Sequence, residues 1–307
     1  MRIAFVSETW VPQVNGVALT VNAMARGMAA RGHCVEVVRP GGAAREQGLE
    51  MVAAAALRMP RYPELQFGLP CAARLRRRWN ALRPDAVYVA TEGFLGASAL
   101  RAARALRIPV VTGFHTRFDD YAAHYGVGWL KLPARAYLRR FHRGADMTLV
   151  PTRALARELR DGGIAHVQRL RRGVDAELFG PHRRDDALRA GWGAQNGAPV
   201  VLCVGRIAAE KNLELALQAF RIIQARQPGA RMVMVGDGPA RAALQAANPD
   251  VHFAGTQHGA ALAAHYASAD LFLFPSLTET FGNVVLEAMV SGLALVAFDR
   301  GAAAEHV

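Results

Sequence analysis

The sequence predicts an α/β protein made of two doubly wound, parallel-sheet domains. Short apolar runs rich in Val and Ile alternate with helical patterns, as expected for strands covered on both faces. This alternation stops once, over residues 173–198, and then restarts. Several of the apolar runs also end at a glycine, which is typical of a tight exit from a strand into a loop.

Length and composition narrow the class of protein. The 307 residues, 52% of them hydrophobic, are enough for two domains with substantial cores. No apolar run reaches the roughly 18 residues of a membrane-spanning helix, and the first residues predict a strand rather than a signal peptide. The three cysteines follow no metal or disulfide pattern, so we expect a cytoplasmic protein.

The first predicted domain covers residues 1–172. We expect its strands and helices in strict alternation, which requires a parallel sheet. The predicted strands are residues 3–7, 35–39, 86–90, 110–113 and 147–150. The predicted helices are residues 17–31, 72–82, 95–106 and 154–160.

A linker with one short helix is predicted over residues 173–198, and a second domain over residues 199–307. Its predicted strands are residues 200–204, 231–235, 251–253, 271–274 and 294–298. Its predicted helices are residues 213–225, 240–247, 260–267 and 281–291. Because Val307 follows the last strand so closely, we expect this domain to be incomplete. We also expect the two sheets to face a cleft, with ligands at the carboxyl ends of the strands.

The net charge of +12 belongs to the first half of the chain. Residues 1–180 contain 27 Lys and Arg against 14 Asp and Glu, whereas residues 181–307 contain 10 against 11. Basic residues cluster at 74–78 and at 131–143, and the second cluster mixes arginine with Leu, Tyr and Phe. An anionic membrane surface, a nucleic acid or a merely solvated face would each fit these clusters.

Two glutamates flank a predicted helix start late in the chain. Glu279 falls in the loop after the strand at 271–274, and Glu287 falls about two turns into the helix predicted to begin at Phe281. The free backbone N–H groups at such a start suit a phosphate, and the carboxylates suit sugar hydroxyls. A capping glutamate with a solvated helical one is the alternative.

Two cations follow the first strand of the second domain. Arg206 comes directly after Gly205, and Lys211 precedes the next helix. Two cations at a strand end are the equipment for a diphosphate. Lys211 is one of only two lysines, although a salt bridge to Glu210 or Glu214 would also account for it.

Two positions of the first domain are candidates as well. Gly16 begins a predicted helix, so its amide would reach a phosphate, or it is only a helix-entry glycine. His115 ends the strand at 110–113, where it would contact a sugar or simply pack. Asp119 and Asp120 are adjacent and would diverge on a helix, and no D-x-D pattern occurs, so we expect no metal and no cofactor.

Four motifs together resemble the retaining glycosyltransferases of family 4, which have the GT-B fold, and the resemblance covers nearly the whole chain. The motifs are Glu279-x7-Glu287, Gly205-Arg206 with Glu210-Lys211-Asn212, the turn at 235–239 and the loop at 12–16. Bacterial mannosyltransferases that act on lipid or polyprenyl acceptors are most similar, and they share the Phe114-His115-Thr116 segment.

The resemblance implies how a nucleotide-sugar donor is bound. Arg206 and Lys211 would bind its diphosphate together with the amide of Gly16. GDP-mannose is the expected donor, a lipid or polyprenyl-linked molecule the expected acceptor, and the inner face of the cytoplasmic membrane the expected location. The two cations would stabilise the leaving diphosphate, whose oxygen would take the proton of the acceptor during attack on the same face of the sugar.

The other implied contacts lie along the donor. Glu279 would bind the hydroxyls of the transferred sugar, with the amides of Phe281 and Gly282 nearby. Glu287 would bind the ribose hydroxyls, and His115 would lie against the sugar. A UDP-sugar donor, an inactive protein that only binds sugar nucleotides and a nucleic-acid binder are the alternatives; the last rests on charge alone and lacks a recognition motif.

Overall fold

The structure is a computed structural model, and it describes residues 1–13, 15–42, 46–59, 62–116, 131–194 and 197–307. These residues form two compact units, the first ending at Arg171 and the second starting at Arg172. Each unit contains a parallel sheet with helices, as the alternation of the sequence predicts. No helix among the described residues is long and apolar enough to cross a membrane.

The first unit is built on a seven-stranded sheet in the order β3-β2-β1-β6-β7-β8-β9, in which all neighbours are parallel. A separate antiparallel hairpin consists of β4 and β5. The strands are β1 (Arg2–Val6), β2 (Cys34–Pro40), β3 (Glu50–Ala54), β4 (Ala56–Met59), β5 (Tyr62–Gly68), β6 (Ala86–Val89), β7 (Val110–Gly113), β8 (Met147–Val150) and β9 (Val167–Arg169).

Helices cover this sheet and bury its apolar side chains. They are α1 (Gly16–Ala30), α2 (Ala72–Ala81), α3 (Phe94–Ala105), α4 (Lys131–Arg143) and α5 (Arg153–Asp161). Val6 and Val89 of the central strands are fully buried against α3, while Phe5 and Val37 pack in the core near α1. The side chains of each strand alternate between these two cores because successive side chains point to opposite faces of the sheet.

Strands β3, β4, β5 and β9 are absent from the predicted set. β3 and β9 are the two edges of the large sheet, and β9 has only three residues. The hairpin lies outside the large sheet. Edge strands need fewer apolar residues than central ones, so the pattern of the sequence marks them weakly.

The second unit has a five-stranded parallel sheet in the order β12-β11-β10-β13-β14. Its strands are β10 (Val200–Val204), β11 (Arg231–Val235), β12 (His252–Gly255), β13 (Leu271–Phe274) and β14 (Ala294–Ala297). Its helices are α6 (Asp186–Gly191), α7 (Leu213–Arg226), α8 (Arg241–Ala247), α9 (Gly259–Ala267), α10 (Asn283–Val290) and α11 (Ala303–His306).

The segment between the two regions of alternation packs into the second unit. Phe179 and Trp192 are buried in its core, and the ring of Phe179 meets that of Tyr266 edge-on with centroids 5.8 Å apart. Arg189 of α6 is buried and donates a 2.9 Å hydrogen bond to Asp270 at the start of β13. The one short helix predicted here is α6.

One predicted helix begins later than expected. The pattern places its start at Phe281, but α10 begins at Asn283 and Gly282 is its N-cap, with a left-handed φ of 87°. Phe281 is instead a buried loop residue whose carbonyl accepts a 2.6 Å hydrogen bond from the amide of Ala302. The apolar side chain of Phe281 continues the helical pattern because the loop itself is packed against the core.

Candidate functional site

The second unit brings Lys211 and Glu279 into direct contact. Lys211 closes a one-turn 3-10 helix, Ala209–Lys211, after β10, and Glu279 lies in the loop after β13. Because β10 and β13 are adjacent and parallel, both loops start at the carboxyl ends of neighbouring strands. The Lys211 ammonium forms an ion pair and hydrogen bond with the Glu279 carboxylate, and both side chains are largely buried. The partner of Lys211 is thus Glu279, and neither Glu210 nor Glu214.

Arg206 lies beside this ion pair. Its guanidinium is half exposed and stands 3.1 Å from the carboxylate of buried Glu210. Arg206, Lys211 and Gly205 line one small depression with Phe274 of β13. The Lys211 ammonium also lies 5.8 Å from the centre of the Phe274 ring. The predicted pair of cations is therefore present at one strand end, each with a carboxylate partner.

The strand-end glycines permit two loops to pack on each other. A Cβ on Gly236, whose φ is 137°, would lie 1.9 Å from the carbonyl oxygen of Gly205, and one on Gly238 would lie 2.3 Å from that of Ile207. Neither contact can be relieved without moving backbone. The turn at 235–239 thus serves at least to hold the loop that carries Arg206, which explains its glycines without any ligand.

The loop before α10 is equally constrained. Gly282 has a positive φ, and its missing Cβ would be 3.4 Å from a carboxylate oxygen of Glu279. A Cβ on Gly301 would lie 2.3 Å from the carbonyl oxygen of Phe281 and 3.2 Å from the Cβ of Glu279. The segment after β14 therefore supports the loop that holds Glu279.

Glu287 lies within α10 and has a partner that sequence reasoning missed. The hydroxyl of Tyr266, in α9, donates a 2.9 Å hydrogen bond to Oε2 of Glu287. Burial raises the pKa of the Glu287 carboxyl, and the hydrogen bond from Tyr266 partly opposes this rise. Burial, the nearby Glu287 charge and the shared hydrogen bond all raise the pKa of Tyr266, so the phenol remains the proton donor.

Gly16 is the first residue of α1. The side chain of Asn15 caps this helix by accepting a 2.8 Å hydrogen bond from the amide of Ala18, and its own amide group donates to Thr9 at 2.6 Å. A Cβ on Gly16 would meet no atom within 4 Å. Packing in the described residues therefore does not explain this glycine, and its predicted phosphate contact stays a prediction.

His115 follows β7 and is half buried. Its Nε2 is 2.7 Å from the hydroxyl of Tyr88, a buried residue of the neighbouring strand β6. The ring folds back over Gly113, where an added Cβ would lie 2.4 Å from Nε2. Tyr88 thus fixes the orientation of the imidazole, a contact that sequence separation concealed.

A second group of polar residues follows the carboxyl ends of strands in the first sheet, and the sequence analysis did not identify it. Glu8 follows β1 and accepts a 2.9 Å hydrogen bond from the amide of Leu95 in α3. Glu92 follows β6, is buried, and lies 3.3 Å from Nε2 of His142. Burial raises the pKa of Glu8, the Leu95 amide opposes the rise, and the Glu92 charge adds to it. Charged residues directly after apolar strands were the available signal.

The described part of the chain contains no group of three or more His, Cys, Asp or Glu side chains that could hold a metal ion. Asp119 and Asp120, which the sequence raised as ligand candidates, lie outside the described residues. The expectation of a metal-independent protein stays a prediction.

Comparison with known proteins gives the class. Residues 14–178 match the model of Glycosyltransferase Family 4, and residues 198–307 match that of Glycosyl transferases group 1. The chain belongs to glycosyltransferase family 4, and it is an enzyme of the glycosyltransferase class.

Individual relatives extend over almost the entire chain. A GDP-mannose-dependent alpha-mannosyltransferase of Mycobacterium tuberculosis is 37% identical over 98% of this chain and 80% of its own length. One of the same description from Corynebacterium glutamicum is 35% identical over 95% and 71%. The alpha-monoglucosyldiacylglycerol synthase of Streptococcus pneumoniae is 27% identical over 97% and 71%.

Solved structures confirm the predicted GT-B fold class. Sucrose-phosphate synthase from Thermosynechococcus elongatus superimposes with a TM-score of 0.76 at 17% identity, covering 96% of this chain and 80% of the other. Anabaena Alr3699/HepE in complex with UDP gives 0.75 at 20% identity, covering 100% and 83%. At these identities the likeness carries the fold alone.

Proposed function

We propose that the protein is a retaining α-mannosyltransferase that moves mannose from GDP-mannose to a lipid or lipid-linked acceptor. The observation that carries the proposal is the Lys211–Glu279 ion pair beside Arg206. Two cations that would bind a diphosphate and a carboxylate that would bind sugar hydroxyls are close together there, which supports the proposal. The choice of mannose and of GDP rests on relatives that are 35–38% identical and named for that donor.

Each predicted site residue of the second unit has a role in the proposal. Arg206 and Lys211 bind the diphosphate and stabilise the negative charge that develops as it leaves. Glu279 and the amides of Phe281 and Gly282 bind the transferred sugar, and Glu287 binds the ribose hydroxyls. Gly282 is the N-cap of α10, and the first amides of a helix lack partners within the helix, which supports a role for this loop in binding the donor.

The proposal retains two residues of the first unit. Gly16 donates its amide to the diphosphate, and His115 contacts the transferred mannose. Tyr88 holds His115 through a 2.7 Å contact with Nε2, so that nitrogen is engaged with the hydroxyl.

The chemistry proposed is attack on the same face of the sugar. As the bond between the anomeric carbon and the diphosphate oxygen breaks, the acceptor hydroxyl forms the new bond from that face. The departing phosphate oxygen takes the proton of the acceptor. The pair of cations performs the charge stabilisation, so the proposal includes neither a metal ion nor another cofactor.

A UDP-sugar is the second candidate donor. Relatives named as glucosyldiacylglycerol synthases are 27–28% identical to this chain, and their names also support a lipid acceptor. The acceptor would place the protein at an anionic membrane surface, on the cytoplasmic side, and the basic clusters of the first unit favour this location. Nucleic acid is not a proposed partner.

The experiment is a donor screen with product analysis. Purified protein is incubated with a membrane lipid extract and either GDP-mannose or a UDP-sugar, and the lipid product is identified by mass spectrometry and NMR. We expect a mannolipid with an α-anomeric signal from GDP-mannose alone. A product from UDP-glucose alone would replace the donor assignment, a β-anomer would contradict retention, and donor binding without turnover would indicate an inactive sugar-nucleotide binder.

A further inference from the structure

The loop that carries Glu279 depends on another segment for its shape. It covers residues 275–282, between β13 and α10. The hydroxyls of Ser276 and Thr278 in this loop are buried and have no hydrogen-bond partner among the residues that the structure describes. These polar side chains therefore do not fasten the loop, and the position of the Glu279 carboxylate depends on contacts from outside it.

The segment that follows the edge strand β14 supplies these contacts, on both sides of Glu279. Before Glu279, Nη1 of Arg300 donates a 2.8 Å hydrogen bond to the carbonyl of Leu277. After Glu279, the amide of Ala302 donates a 2.6 Å hydrogen bond to the carbonyl of Phe281. The stretch 277–281, with Glu279 at its middle, is thus held at both ends.

The two bonds differ in how they are made. The bond at Phe281 is part of the core, because Phe281 and Ala302 are buried and the ring of His306 meets that of Phe281 edge-on at 6.2 Å. The bond at Leu277 comes from one exposed side chain. A substitution at Arg300 therefore releases one end of the stretch and leaves the core as it is.

We propose that Arg300 is a positioning residue for sugar transfer. By holding the Leu277 carbonyl, it keeps Glu279 where its carboxylate pairs with Lys211. Small displacements of a group that contacts the substrate lower the rate of a reaction, and Arg300 acts on such a group through the main chain. The inference rests on the proposed function for the role of Glu279 at the transferred sugar.

The scarcity of lysine supplies a direct reporter of this arrangement. The chain contains only Lys131 and Lys211, so Lys131→Arg leaves Lys211 as the single side-chain signal of protein labelled with 13C and 15N at lysine. Glu279→Gln shows how far this NMR signal moves when the ion pair loses its negative partner. We expect Arg300→Ala to move the signal part of the way in the same direction. In protein that already carries Glu279→Gln, Arg300→Ala should move it no further, because its effect passes through Glu279.

Arg231→Ala is the control variant. Nη1 of Arg231 also donates to main-chain carbonyls, at 3.0 Å to Ala230 and 3.2 Å to Gly229, but this arginine lies at the amino end of β11. Its removal should leave the Lys211 signal in place. Equal shifts from the two arginine variants would overturn the proposal, as would a Lys211 signal that ignores Arg300→Ala or Glu279→Gln.

Binding and transfer assays give the second readout. Arg300→Ala should lower kcat/KM for GDP-mannose about three- to tenfold, as expected for one lost hydrogen bond. The Kd of GDP, which carries no sugar for Glu279 to bind, should stay within about twofold of the wild-type value. An equal loss of affinity for GDP would show that the substitution disturbs the whole unit, and would overturn the proposal.

The lysine signal separates this inference from the proposed function, because it requires neither donor nor turnover. Transfer by the wild-type protein, with a Lys211 signal that ignores Arg300→Ala, would defeat the inference alone. A signal that moves as expected in a protein that transfers no sugar from any donor would defeat the proposed function, and Arg300 would still be the residue that positions Glu279.

Discussion

The hydroxyl of buried Tyr266 in α9 donates a 2.9 Å hydrogen bond to the carboxylate of Glu287 in α10. It orients the carboxylate that we assign to the ribose. A tyrosine in an alanine-rich helix would otherwise be taken for a core residue only. The contact makes Tyr266 a positioning residue with its own experimental signature.

Tyr266→Phe should raise KM for the donor about five- to tenfold and leave kcat nearly unchanged, because one hydrogen bond to a charged group is lost. The measurement is steady-state kinetics with GDP-mannose and with an analogue that lacks the ribose hydroxyls. The effect should shrink with the analogue, since Glu287 then has nothing to bind. An equal effect on both donors would mean that Tyr266 acts through folding alone.

Lys211→Ala and Arg206→Ala should each lower kcat/KM by about two orders of magnitude, because each removes a charge that stabilises the leaving diphosphate. Arg221→Ala is the matched control, since it removes a cation paired with Asp250 on the surface of the same unit. A kcat/KM within about threefold of wild type for Lys211→Ala or Arg206→Ala would refute this account of the leaving group.

Glu287→Gln should alter how stability depends on pH. Burial raises the pKa of Glu287 above its ordinary 4.5, so the folded state holds the proton more tightly than the unfolded state. The resulting stabilisation is complete below pH 4.5 and is lost as pH rises through the raised value. Urea denaturation across this range should show wild type losing stability relative to the variant; parallel curves would contradict the shift.

Gly113→Ala should impair transfer more than stability. Its Cβ would lie 2.2 Å from the Tyr88 hydroxyl and 2.4 Å from Nε2 of His115, which are side-chain rather than backbone atoms. We expect kcat/KM to fall by one to two orders of magnitude, since displacements of about 1 Å have such effects, at a stability cost of about 1 kcal/mol. Gly42→Ala, whose Cβ meets nothing within 4 Å, is the control. Unimpaired transfer by the Gly113 variant would remove His115 from the mechanism.

Local patterns predicted the central strands and most helices of both units, because buried parallel strands carry continuous apolar runs. The edges β3 and β9 escaped since they bury fewer side chains. Arg206, Lys211 and Glu279 could be chosen from chemistry and position after strands. The contact between Lys211 and Glu279 could not be predicted, because these residues are 68 positions apart and meet only because β10 and β13 are adjacent in the sheet. The same holds for Tyr88 with His115.

The contact between Lys211 and Glu279 has a consequence for selectivity. Because the Lys211 ammonium is already paired with the Glu279 carboxylate, we expect it to bind free anions such as inorganic phosphate only weakly. A ligand that takes the ammonium must compensate the carboxylate it displaces, and under the proposed roles only a donor bearing sugar hydroxyls next to its diphosphate does both. Discrimination against the sugar-free nucleotide would then come from an exchange of partners, built into the resting protein before any substrate arrives.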